Sequence, residues 1–148
     1  MRTSIRAGSF VLALLLVGHT IGATAQSNGS VDDAMVRLSA VGFFAIGGTG
    51  FAGRISKGEL DYKAILAQPQ PQALKSFEQI YATGHPAAKG YALLGIHTLA
   101  PAKFDELYAT VKDSVETVAT MQGCILSTTK LSLIAKRIND GSYDRRIR

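Results

Sequence analysis

Few side chains in this sequence could do chemistry, and they are widely spaced. The chain has one cysteine, Cys124, and three histidines, of which only His85 and His97 lie beyond the first 25 residues. A cysteine nucleophile needs a base or a helix N-terminus close by to lower its pKa, and nothing in the sequence places a histidine there. The two histidines lie near opposite ends of a predicted helix, about 18 Å apart, too far for one metal ion. We therefore predict no catalytic residue, no metal ligand and no cofactor.

The surroundings of Cys124 allow three interpretations. Its neighbours Ile125 and Leu126 are apolar, so we expect a buried thiol. In an oxidising compartment a free cysteine also joins two copies of a chain, so a homodimer linked through Cys124 is an alternative. An enzyme centred on Cys124 or His97 is the least favoured.

A glycine-rich stretch, residues 47–53, is the closest match to a known motif. Gly48, Gly50 and Gly53 satisfy G-x-G-x-x-G after a short apolar run, as in dinucleotide-binding turns. That chemistry also needs an acid about 20 residues further on, and the sequence has none there. A P-loop needs Lys followed by Ser or Thr, whereas this chain has Arg54 and Ile55. We expect a tight glycine turn instead.

The first 25 residues have the features of a secretory signal peptide. Arg2 and Arg6 precede an apolar run at residues 10–17, and the segment ends in Ala-Thr-Ala. Cleavage is expected between Ala25 and Gln26, so the protein would be exported to the periplasm or the medium. The apolar run is shorter than the roughly 20 residues that span a membrane, so we predict no transmembrane segment after cleavage.

Charge is concentrated at the ends of the chain. The net charge of +5 falls to +3 without the leader, and Arg145, Arg146 and Arg148 account for the remainder. Residues 26–144 are formally neutral, so no basic face is expected and nucleic-acid binding is disfavoured. The arginine tail, residues 145–148, either stays solvated or contacts anionic lipid, polysaccharide or an acidic partner.

Composition and pattern predict one helical domain over residues 26–144. With 47% hydrophobic and 18% charged residues, the chain can bury a core. Ser56 and Glu59 form a capping-box pattern, Pro101 suits a first helical turn, and Gly84 suits a helix C-cap. Residues 87–99 are apolar on all sides, which is typical of a buried helix. We expect extended segments at residues 41–46 and 120–126, and a last helix from Thr129.

Residues 84–96, Gly-His-Pro-Ala-Ala-Lys-Gly-Tyr-Ala-Leu-Leu-Gly-Ile, resemble the second-helix segment of a HEAT-type repeat. The likeness covers about one repeat, residues 71–114, and the chain is also similar to a group of small exported bacterial proteins. It implies stacked helical hairpins. We therefore predict a mainly α fold: a compact αα-hairpin, HEAT-like domain with a small extended or two-stranded element.

These features favour an exported, non-enzymatic helical module that binds another protein, for example as an inhibitor or immunity protein. The predicted contact surface is the exposed side chains of the turns (Arg54, Lys57, His85 and Lys89), joined by the arginine tail. The alternative is a cell-envelope structural component whose basic tail contacts anionic lipid or polysaccharide.

Overall fold

A computed structural model describes residues 27–144 of the chain. The predicted signal peptide, its cleavage site between Ala25 and Gln26, and the tail with Arg145, Arg146 and Arg148 lie outside the described residues. Six helices and two strands follow one another in the described part: α1 Ser27–Ser39, α2 Lys57–Leu66, α3 Gln70–Thr83, α4 Pro86–Leu99, α5 Pro101–Val111, β1 Thr117–Gln122, β2 Ile125–Lys130 and α6 Leu131–Asn139.

Helix α4 is the centre of the domain. Every residue from Ala87 to Ile96 except Lys89 is buried, as the lack of a polar face predicts. The other helices and β1 pack around α4, and α3 and α5 join it through very short turns. The prediction of a buried helix within a compact, mainly α domain is confirmed.

Local signals set most helix ends. Ser56 caps α2 by accepting a hydrogen bond from the backbone N–H of Glu59 at 3.0 Å. Gly84 ends α3 as predicted, but its φ of −77° is not left-handed. Glycine is needed there because an added Cβ would lie 2.6 Å from the carbonyl oxygen of Ile80. The last helix begins at Leu131 rather than Thr129, because β2 extends to Lys130.

The extended element is a β-hairpin. Strands β1 and β2 pair antiparallel, from Thr117 opposite Lys130 to Gln122 opposite Ile125. Gly123 occupies the two-residue turn with a φ of +56°, a conformation that favours glycine. The predicted extended segment at residues 41–46 joins the hairpin through a single bridge, in which Phe44 lies beside Thr120. The fold is thus mainly α with a small two-stranded sheet, as predicted.

Candidate functional site at the hairpin end

Residues 47–53, the glycine loop, extend beside the turn of the hairpin. Gly47, Gly48, Gly50 and Gly53 all have positive φ, which only glycine adopts readily. The backbone N–H of Gly50 donates to the carbonyl oxygen of Gly123 at 2.8 Å. Next to this bond, the side chain of Phe51 is fully exposed. The loop is the predicted tight glycine turn, and it holds an aromatic ring in solvent beside the hairpin.

A buried carboxylate anchors the glycine loop to α2. Glu59 is 2% exposed, accepts a hydrogen bond from the N–H of Gly47 at 2.8 Å and pairs with Lys63 at 3.0 Å. The capping box is therefore only half formed: the Ser56 hydroxyl caps the helix, but the Glu59 carboxylate binds the loop instead of returning to the cap. Its role is structural.

The hydroxyl of Tyr91 fixes the segment that precedes the glycine loop. It donates to the carbonyl oxygen of Ala45 at 2.7 Å and accepts from the Ala45 N–H at 3.0 Å. The ring also packs against Phe44, with centroids 4.8 Å apart. Burial of the phenol raises the pKa of Tyr91 above its ordinary value. Helix α4 thereby holds residues 44–46 against the core.

One edge of the hairpin is open. The backbone N–H of Phe44 donates to the carbonyl oxygen of Ala119, and its carbonyl oxygen accepts from the N–H of Met121. Ala119 and Met121 therefore direct these backbone groups away from β2. In an antiparallel pair of strands, successive residues direct their backbone N–H and C=O groups alternately toward and away from the partner strand. Thr128 and Leu126, which lie opposite Ala119 and Met121, therefore direct their backbone groups away from β1. No described strand pairs with that side of β2. A row of free backbone donors and acceptors therefore runs along β2.

The hairpin turn exposes apolar side chains. Ile125 and Leu126 are 72% and 62% exposed, and Cys124 beside them is exposed as well. The expectation of a buried thiol is wrong, because the apolar residues beside Cys124 lie at the exposed turn of the hairpin and not in the core. The disulfide-linked homodimer remains a prediction.

The exposure of Cys124 predicts rapid alkylation of the folded protein. Because Cys124 is the only cysteine, one iodoacetamide adduct is expected by mass spectrometry, formed at a rate within about tenfold of the rate in denaturant, since access to an exposed thiol does not require unfolding. A thiol that reacts only after denaturant is added would contradict the exposed turn.

A polar cleft of about 310 Å³ lies on the inner side of the hairpin. Residues 44–46 and Met121 line its apolar side, and polar residues from β1, β2, α6 and the C-terminal segment line the rest: Thr120, Gln122, Ser127, Thr128, Thr129, Arg137 and Tyr143. A smaller hollow of about 220 Å³ shares Gln122, Arg137 and Tyr143 with it and continues the cleft past Ser142.

The predicted contact residues fall into two separate pairs, Arg54 with Lys57 and His85 with Lys89. Arg54 and Lys57 are exposed at the junction of the glycine loop and α2, whereas His85 precedes the first turn of α4. Lys89 binds the carboxylate of Glu116 at 2.9 Å. No hydrogen bond or ion pair within residues 27–144 joins one pair to the other. His97 is half-buried and packs edge-on against Phe104, with ring centroids 4.8 Å apart.

The described residues contain no group of three or more His, Cys, Asp or Glu side chains placed to hold a metal ion. Over the same residues, 27–144, no helix combines the length and the apolar character needed to cross a membrane.

Sequence reasoning missed Phe51, the open edge of β2 and the cleft. The signal for the hairpin was present, because Thr, Val and Ile make up half of each of the two six-residue runs around Gly123. The cleft carried no such signal, since its lining comes from several separate elements and includes Phe44 and Ile46 from a segment far away in sequence.

No protein-family model, curated protein or solved structure matches this chain. The HEAT-like character of residues 71–114 accordingly remains a prediction, and function must be argued from the geometry.

Proposed function

We propose that this protein is an exported, non-enzymatic module that binds an extended segment of another protein along β2. The open edge of β2 carries the proposal. Export is supported by the basic start, the apolar run and the Ala-Thr-Ala ending of residues 1–25.

The β2 edge has the chemistry of a strand-addition site. Leu126 and Thr128 present backbone groups that an added strand would pair with, which is how several peptide-binding domains capture extended ligands. Proteins usually protect such an edge with prolines, bulges or charges. Strand β2 has no proline, and its one charge is Lys130 at the end.

Apolar side chains beside the edge supply the contact area that backbone pairing lacks. Leu126 lies on the edge strand itself, and Ile125 precedes it on the same strand; both side chains are largely exposed. Neighbouring exposed aliphatic residues of this kind are typical of protein-binding surfaces. The partner segment is therefore expected to be extended and to carry apolar side chains.

A proline substitution in β2 tests the proposal directly. Thr128→Pro removes an outward N–H without breaking a bond to β1, because only the alternate residues of β2 pair with β1. The chain from Gln26 to Arg148 would be immobilised and exposed to envelope and secreted extracts of its host. We expect one protein to be retained by the wild type and at least about tenfold less by Thr128→Pro.

Two variants serve as controls. Thr128→Val keeps the N–H and should retain the partner. Val36→Ser removes an equally exposed apolar side chain from α1 and should also have no effect, whereas Leu126→Ser should weaken binding. Retention unaffected by Thr128→Pro, or no protein retained at all, would count against the proposal. Loss of binding only on alanine substitution at Arg54, Lys57, His85 and Lys89 would favour the turns instead.

A further inference from the structure

We propose that the polar cleft between the hairpin and the end of α6 binds a small hydroxylated carboxylate, such as a sugar acid. This inference is independent of the proposed function, because it concerns the inner face of the hairpin rather than the outer edge of β2.

One wall of the cleft is a row of hydroxyl groups. Thr120 and Ser127 are paired across the hairpin, and their side-chain oxygens lie 3.0 Å apart. Thr129 follows Ser127 on the same face, since side chains alternate along a strand. Hydroxyl groups both donate and accept hydrogen bonds, so this wall suits a ligand that is itself rich in hydroxyl groups.

The lining of the cleft also includes a positive charge. Arg137 lines both parts of the cleft, and among the described residues no carboxylate forms an ion pair with it. The described lining residues include no aspartate or glutamate. A guanidinium group binds a carboxylate through two parallel hydrogen bonds, so the cleft favours an anion.

The volume of the cleft and its aromatic residues further limit the kind of ligand that it could bind. A volume of about 310 Å³ is at the lower end of the range for small-molecule sites, which suits a ligand of about one sugar ring. Phe44 packs edge-on against Tyr143, with ring centroids 5.4 Å apart. A lining that combines aromatic and aliphatic carbon, hydroxyl groups and one cation matches a ring that carries one carboxylate.

Titration of the protein with glucuronate, followed by NMR chemical shifts, tests the site. We expect saturable shifts confined to the residues of the cleft, with a dissociation constant of about 1 mM or tighter. Glucose has the same ring without the carboxylate and is expected to bind at least about tenfold more weakly. Arg137→Gln should weaken glucuronate binding by about tenfold or more, the usual effect of losing a charge-assisted hydrogen bond.

Lys136→Gln is the matched control for Arg137→Gln. It removes the same charge from the neighbouring position of α6, yet Lys136 does not line the cleft, so glucuronate binding should be unchanged. Ser127→Ala should weaken binding without altering the preference for glucuronate over glucose. Equal losses in the Lys136 and Arg137 variants would overturn the proposal, because they would indicate general attraction of an anion. Absence of saturable shifts, or shifts that disappear only when residues 145–148 are deleted, would overturn it as well.

Discussion

Replacing Gly95 by alanine is expected to lower the free energy of unfolding by about 1–3 kcal/mol, the usual cost of overpacking a core. Gly95 lies in the middle of α4, where that helix contacts α3. An added Cβ would lie 2.4–2.6 Å from three atoms of the Phe77 ring. Phe77 is fully buried and cannot turn into solvent, so the two helices must move apart. This cost outweighs the gain of up to about 1 kcal/mol from the higher helix propensity of alanine.

Urea denaturation of a double-mutant cycle isolates this contact. Phe77→Leu alone leaves a cavity and should lower the free energy of unfolding. In the double variant with Gly95→Ala, the smaller side chain makes room for the new methyl group. The double variant should therefore lose less stability than the sum of the two single losses. Gly42→Ala is the control, since nothing lies within 4 Å of its Cβ position, and a change within about 0.5 kcal/mol is expected. A Gly95→Ala variant as stable as the wild type would contradict the close packing of α3 on α4.

Replacing Tyr91 by phenylalanine is expected to lower the free energy of unfolding by about 1–3 kcal/mol at neutral pH. The substitution keeps the ring but leaves the buried N–H of Ala45 without its partner, and an unpaired buried donor costs about that amount. Because Ala45 lines the cleft and precedes the glycine loop, amide exchange should become faster in residues 44–50 than in the helices. Tyr81→Phe is the control, because the Tyr81 hydroxyl makes no hydrogen bond to any described residue, and its effect should stay within about 0.5 kcal/mol.

The pH dependence of stability gives a second test of Tyr91. Burial raises the pKa of Tyr91 in the folded protein, whereas in the unfolded chain it stays near about 10. Below that pH the phenol is neutral in both states. Above it, the unfolded chain releases its proton first, so stability falls as pH rises through the folded pKa, by at most about 1.4 kcal/mol per pH unit. The stability difference between wild type and Tyr91→Phe should therefore narrow above pH ~10. A constant difference would mean that this phenol is not shielded from water.

Short-range sequence patterns were sufficient to predict the helices of this fold. The Ser56 cap depends on an amide three residues away, and Pro86 and Pro101 stand at the first position of their helices because a missing N–H costs nothing there. The burial of α4 also followed from its sequence, because a helix without a polar face is stable only when covered on all sides. The candidate site was predicted much less well. Of the residues proposed for contact, Arg54 alone directly follows the glycine loop, and Lys89 is held by Glu116.

What the sequence by itself determined is therefore the set of helices, their order and the identity of the central one, whereas export stays a prediction from residues 1–25. The tertiary structure alone decided the partner of Glu59, the exposure of Cys124, the open edge of β2 and the cleft around Arg137. Each of these depends on how separate elements pack against one another in three dimensions, and no local pattern encodes which of them meet. The carboxylate of Glu59 could have closed its own capping box. It binds Gly47 because the packing of Phe44 against Tyr91 brings that N–H within 2.8 Å.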